Sequence, residues 1–276
     1  AGSFTNNYAT TYFGGQGTWG TEFSYQHATS VIPANHNGFT FSTDGLQLFM
    51  MIYNSAVPAL HEYVLTTPWD VRTSSYVRQV DISAEDNYAV GLHFSRDGVF
   101  LYTGGRENDS LYQYRLTTPW DISTREFMAS TTGIASPKGL ALKDDGSTLF
   151  VLSEGRTVYE YDLSAPYDIS SATFIRSELL HNFTCCTGGF TISSDGTRIF
   201  AGDTAAGGIY VHEMTTPWDI STQSLVNYFD VSEVSTELSA AQVSPHGTNA
   251  YILTTDNTLY QYSLTALIDT STGANA

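Results

Sequence analysis

"LTTPWDIST" occupies Leu116–Thr124, "TTPWDIST" returns at Thr215–Thr222, and variants stand at Leu65–Thr73 ("LTTPWDVRT") and Leu163–Ser171 ("LSAPYDISS"). A catalytic string is needed once, so repetition of this kind points to architecture. A second marker keeps the same period: "FSTDG" at Phe41–Gly45, "FSRDG" at Phe94–Gly98, "LKDDG" at Leu142–Gly146, "ISSDG" at Ile192–Gly196 and "VSPHG" at Val243–Gly247. Their fourth residues, Asp44, Asp97, Asp145, Asp195 and His246, recur every 48–53 residues. Five units of about fifty residues define a repeat protein.

Within a unit the order is a short apolar strand, the S-x-D-G turn, and a strand such as "LQLFMMIY". A polar loop, an alternating strand such as "SLYQYRL" (Ser110–Leu116), the TPWD turn and an outer strand such as "REFMAST" follow. Four short strands joined by turn chemistry describe a propeller blade, and helical periodicity is absent. The last unit stops soon after its third strand, "TLYQYSL" (Thr258–Leu264), whereas "TEFSYQHATS" near the N-terminus reads as an unattached outer strand over residues 22–30. The reading is therefore an all-β, five-bladed β-propeller of four-stranded blades, closed by an N-terminal strand that completes the last blade. Residues 1–21 form an arm and residues 22–276 a single propeller domain.

In Thr118-Pro119-Trp120-Asp121 the proline suits the second position of a type I turn, and the Asp carboxylate is placed to accept a backbone N–H just beyond. The repeated Trp69, Trp120, Tyr167 and Trp218 read as packing at blade joints, with sugar stacking as the functional alternative. In the S-x-D-G turns, Asp44, Asp97, Asp145 and Asp195 open the turn and the glycine supplies φ > 0, a structural use.

The formal charge is −17, and lysine occurs only at Lys138 and Lys143. No basic stripe is left to neutralise phosphates, so nucleic acid is a poor partner. No apolar run is long enough to span a bilayer. Acidic, Thr/Ser/Gly/Tyr-rich composition fits an extracellular setting. Cys185 and Cys186 are the only cysteines and are adjacent; neighbouring Cα atoms about 3.8 Å apart pair only through a strained ring, so no disulfide framework holds the fold.

Through "FSRDGVFLYTGG" and "SSDGTRIFAGD" the chain resembles the YVTN/WD-type propeller repeats over roughly residues 22–265. The W-D dipeptide here follows a proline in a turn, and the G-H partner of WD40 repeats is missing, so the scaffold role of that family does not carry over. The pairing of S-x-D-G with L-T-T-P-W-D-I-S-T is also similar to repeat proteins of bacteriophages and marine microbes. That resemblance implies a virion or cell-surface structural role.

The variable loops, between second and third strands and between blades, share one face, and ligands are expected there. Candidate ligand-binding residues are Asn108 and Asp109 in "GGRENDS", Asp203 in "GDTAAGG", Asp256 in "TTDNT", the vicinal pair Cys185 and Cys186, and the inner-strand residues His93 and Gln242. The inner strands "GFTFS", "GLHFS", "GLALK", "GFTIS" and "AAQVS" carry no Asp or Glu, which argues against the paired carboxylates of a channel glycosidase. No zinc, hydrolase-elbow or phosphate-loop motif appears, so no catalytic residue, metal or cofactor is assigned. The expected function is non-catalytic assembly or surface attachment, extracellular or on a virion, through a protein partner or self-assembly. A carbohydrate-binding propeller is the alternative, and a propeller glycosidase or lactonase comes third.

Overall fold

The computed structural model describes residues 23–29, 36–53, 58–134, 136–181, 189–205, 207–231, 238–244 and 247–264. Strand β1 (Phe23–Thr29) comes first. Blade I follows as β2 (His36–Phe41), β3 (Gln47–Ile52), β4 (Ala59–Leu65) and β5 (Ser74–Asp81). Blade II is β6 (Ala89–Phe94), β7 (Phe100–Gly105), β8 (Ser110–Leu116) and β9 (Arg125–Thr132). Blade III is β10 (Pro137–Leu142), β11 (Thr148–Ser153), β12 (Thr157–Leu163) and β13 (Ala172–Leu179). Blade IV is β14 (Phe190–Ile192), β15 (Arg198–Asp203), β16 (Gly208–Met214) and β17 (Gln223–Asp230). Blade V holds β18 (Leu238–Val243), β19 (Asn249–Thr254) and β20 (Leu259–Leu264).

Each blade is an antiparallel four-stranded sheet in sequence order, except the last, ordered β1-β20-β19-β18. Strand β1 pairs antiparallel with β20, Phe23 opposite Leu264 and Thr29 opposite Leu259. The chain is thus a five-bladed propeller whose first strand completes its last blade, which removes the open blade that unfinished pairing would leave. The arm of residues 1–21 lies outside the described residues.

The core is divided among the blade interfaces. One hydrophobic cluster joins Phe49, Met51 and Leu60 of blade I to Leu92, Phe94 and Tyr114 of blade II. Equivalent clusters fill II–III, III–IV, IV–V and V–I. Second strands are covered on both faces and buried after their first residue, which is why "LFMMI" and "LFVLS" read as continuous apolar runs.

The two repeated strings meet. The Trp120 N–H donates to the Gly98 carbonyl at 3.0 Å, and Trp69–Gly45, Tyr167–Gly146 and Trp218–Gly196 repeat the bond at 2.9, 2.9 and 2.8 Å. Each ring lies over its glycine, where a Cβ would overlap it. The four aromatic residues have φ of 64–67°, the left-handed value that a type II turn needs at its third position. The type I assignment is therefore corrected: the turn twists the aromatic residue to positive φ so that its ring reaches the preceding S-x-D-G turn. Asp70, Asp121, Asp168 and Asp219 then cap short 3-10 turns by accepting the N–H two residues on.

That turn is also the clasp between blades. Gln113 of blade II accepts from the Ile169 N–H at 3.0 Å and donates to the Tyr167 carbonyl at 2.7 Å, both in blade III. Gln261 of blade V accepts from the Val71 N–H at 3.2 Å. Blades I and III use an ion-paired version. Arg78 lies 3.3 Å from Glu62 and 2.8 Å from Asp121 of blade II; Arg176 lies 3.4 Å from Glu160 and 2.5 Å from Asp219 of blade IV. Trp120 adds a ring contact to Phe49 of blade I, and Trp218 one to Phe150 of blade III.

Candidate functional site

The inner strands bring one mid-strand residue from each blade to the axis: Thr40, His93, Ala141, Thr191 and Gln242. They line a cavity of about 180 Å³. Two positions earlier on the inner strands of blades II, III and IV stand Gly91, Gly139 and Gly189. A Cβ on Gly91 would press on Leu140 at 3.1 Å, one on Gly139 would overlap Phe190, and one on Gly189 would overlap the Ala241 backbone. Glycine is required there because neighbouring inner strands converge. Toward the other end the cavity is lined by the exposed Thr43, Arg96, Asp144 and Ser194. These are the "x" residues of the S-x-D-G turns. Half-buried Trp69, Trp120, Tyr167 and Trp218 stand around the same end.

The polar lining is partly satisfied. Gln242 Nε2 donates to Thr40 Oγ1 at 3.1 Å, while Gln242 Oε1 and Thr191 Oγ1 are buried without a hydrogen-bond partner. His93 Nε2 accepts from the Leu142 N–H at 3.3 Å, which leaves the ring proton on Nδ1. Burial pushes the His93 pKa down to about 4, so the ring is neutral at neutral pH. Lys138 is buried and Lys143 half-buried, and both line the cavity. At that end Arg96 pairs with Asp144, and Lys143 with Asp145 at 3.3 Å.

His93 and Gln242 therefore both line the axial cavity. The loop candidates lie at the opposite face, Asn108 and Asp109 tied to neighbouring loops and Asp203 and Asp256 within their own. Asn108 Nδ2 donates to the Glu85 carbonyl at 3.1 Å and to the Tyr112 hydroxyl at 3.2 Å. Asp109 accepts from the Ser136 N–H at 2.7 Å, and Asp203 from the Ala205 N–H at 2.9 Å. Asp256 accepts from the Thr254 hydroxyl at 2.5 Å, which leads the contacts that hold its pKa below the usual carboxylate range. Cys185 and Cys186 lie outside the described residues. Lys138, Lys143 and Arg96 line the cavity and were not singled out from the sequence, although the two lysines are the chain's only ones.

Among the described lining residues Asp144 is the one carboxylate, and Arg96 engages it. Glycoside hydrolysis needs a facing pair. No cluster of three His, Cys, Asp or Glu side chains able to hold a metal occurs among the described residues.

A second surface repeats around the circumference. The outer strands of blades I to IV each carry a bulge at which large apolar side chains turn to solvent: Tyr76 and Val77, Phe127 and Met128, Phe174 and Ile175, and Val226. The rings of Tyr76, Phe127 and Phe174 are 52%, 54% and 55% exposed. On blade V the bulge residue is the exposed Gln26, whose Nε2 donates to Ser263 Oγ at 2.7 Å.

These features define a five-bladed β-propeller with an axial cavity and an outer rim that is apolar on four blades. No family model and no curated protein matches the chain. It is similar to a solved structure of a functionally unknown protein from Desulfotomaculum acetoxidans DSM 771, at 13% identity and TM-score 0.49, covering 81% of this chain and 64% of that one. The β-propeller domain of Cps50 (Swd1) from Myceliophteria thermophila gives 15% identity and TM-score 0.46, covering 79% and 66%. Hydrazine synthase from Kuenenia stuttgartiensis gives 19% identity and TM-score 0.49, covering 83% and 58%. The chain thus spans less than two thirds of the length of each of these proteins.

Proposed function

We propose that this chain is a non-catalytic binding propeller that serves assembly or surface attachment, in an extracellular or virion setting. The observation that carries the reading is the rim. Outer strands of soluble propellers face water, yet four blades here present apolar side chains at the same bulged position. Scattered exposed apolar residues need no explanation, but repetition at one structural position does. Each patch is far smaller than the roughly 1,000 Å² of a stable interface, so binding through them is weak singly and strong when several engage together. The bulges also prevent the outer strands from pairing edge to edge, which leaves side chains rather than backbone as the contact.

The test is sedimentation velocity of the full chain over a wide concentration range, beside the Phe127→Ser/Phe174→Ser double variant. Association that grows with concentration and is lost in the variant supports the reading; a wild-type chain that stays monomeric throughout contradicts self-assembly. A second reading, a carbohydrate-binding propeller, draws support from one separate feature, the aromatic-rimmed axial cavity with its unsatisfied polar lining.

A further inference from the structure

The chain has four methionines. Met50, Met51 and Met214 are buried, whereas Met128, the bulge residue of β9, is 47% exposed. At the same bulge position blades I, III and IV carry Val77, Ile175 and Val226, which lack a sulfur. The thioether stands against the clasp: Gln113 Nε2 donates toward Met128 Sδ at 3.9 Å. Gln113 is fully buried, and its amide orientation is fixed, since Oε1 accepts from the Ile169 N–H at 3.0 Å and Nε2 donates to the Tyr167 carbonyl at 2.7 Å. One Nε2 hydrogen is thus committed to blade III, and the other meets a thioether, which is a weak acceptor.

Resting on the assembly reading, we infer that Met128 is a redox-modification site, whose oxidation by hydrogen peroxide releases the rim contact while the blade clasp stays closed. The thioether sulfur attacks one peroxide oxygen. An S–O bond forms, the O–O bond breaks and water leaves, so sulfur is oxidised by two electrons to the sulfoxide and the peroxide is reduced. The oxidant has to reach the sulfur through solvent, which favours Met128 over the three buried methionines. The product is a polar side chain between the apolar patches of blades I and III, and the run of patches that must engage together is broken. The clasp has the opposite response. With the sulfur 3.9 Å from Gln113 Nε2, an oxygen bonded to it on that side comes within the ~2.7–3.2 Å of an N–H···O bond. The three rotatable bonds of the side chain allow that turn. The second Nε2 hydrogen gains a strong acceptor, and the bond to Tyr167 is kept. Association and oxidation are linked in both directions, because an engaged rim covers the sulfur.

The experiment treats the full chain with hydrogen peroxide until peptide mass spectrometry finds Met128 modified and the buried methionines intact. Association is then read by sedimentation velocity and stability by thermal melts, beside Met128→Gln, which is permanently polar, and Met128→Leu, which has no sulfur to oxidise. Met128 should react at least about tenfold faster than the buried three, and more slowly at associating concentrations. Association should weaken severalfold in the oxidised chain and in Met128→Gln, with the melting temperature of the oxidised chain unchanged or raised. Met128→Leu should associate to the same extent before and after peroxide. A loss of association in peroxide-treated Met128→Leu places the effect at another group, Cys185 and Cys186 included, and overturns the inference. Undiminished association of the oxidised chain, or a melting temperature lowered by several degrees, overturns it too and leaves the assembly reading standing. A wild-type chain that stays monomeric at every concentration removes both.

Discussion

Gly98→Ala isolates the contact between the two repeated strings. Gly98 has φ +71°, and the Trp120 ring lies where an added Cβ would go. Holding an L-residue in the left-handed region costs about 1–2 kcal/mol. Making room requires the indole to withdraw by about 1 Å to reach normal carbon contact. Phe94 at 5.2 Å and Phe49 at 6.2 Å between ring centroids oppose that motion, and overpacking of this kind costs about 1–3 kcal/mol. The total is about 2–5 kcal/mol. Gly247 provides the internal control, since its φ is +66° but no heavy atom of the described residues lies within 4 Å of an added Cβ; Gly247→Ala should cost the strain alone, about 1–2 kcal/mol. At about 2–4 °C per kcal/mol for a chain of this size, thermal melts by far-ultraviolet circular dichroism resolve the difference. Adding Trp120→Ala to Gly98→Ala should cost less than the sum of the two single changes, because the overlap is removed with the ring. Equal losses in Gly98→Ala and Gly247→Ala would refute the reasoning.

Trp120→Ala removes packing to Phe49 and Phe94 and should lower stability by about 3 kcal/mol or more, read by urea unfolding; an unchanged midpoint would return the repeated tryptophans to a surface role. His93 is neutral when folded, with a pKa near 4 against about 6.5 unfolded. Its contribution is complete above pH 6.5 and lost as pH falls toward 4, amounting at pH 5 to about 2 kcal/mol at most. His93→Gln should flatten that part of the stability–pH curve between pH 7 and 5, and an unaltered slope would show that the ring is solvated. Glu160 is pushed up by burial, with the Arg176 charge opposing, so its stabilisation is present below the unfolded pKa and disappears as pH rises through the folded one. Glu160→Gln writes into blade III the residue that blades II and V use, and at pH 7 it should hold or raise the melting temperature; a fall of ten degrees would mean that the Glu160–Arg176 pair is itself a major support.

The blade count, the strand order and the closing strand were legible because each rests on local chemistry repeated at a fixed period. Turn residues, alternation and an orphan outer strand at residues 22–30 suffice for those. The clasp was written in the sequence but needs two blades to be seen. The fourth residue of the third strand is Glu62, Gln113, Glu160 and Gln261 where the following blade has a TPWD-type turn, and Val211 where the next unit reads "LTALID". The turn type was misread because proline at the second position fits types I and II alike, and only the ring's destination on glycine selects positive φ. The axial cavity escaped because it is assembled from five strands about fifty residues apart, none carrying a motif. The rim escaped because an apolar pair on an outer strand looks like an ordinary alternation until a bulge turns it outward.

If the repeated strings join blades while the rim makes the contacts, amide hydrogen exchange on the chain at dilute and at associating concentrations separates the two roles. Protection should rise in Ser74–Asp81, Arg125–Thr132 and Ala172–Leu179, with the Pro-Trp-Asp turns unchanged. Protection that rises instead at the turns or in the loops around Asn108, Asp203 and Asp256, with those three strands unaffected, would contradict that division.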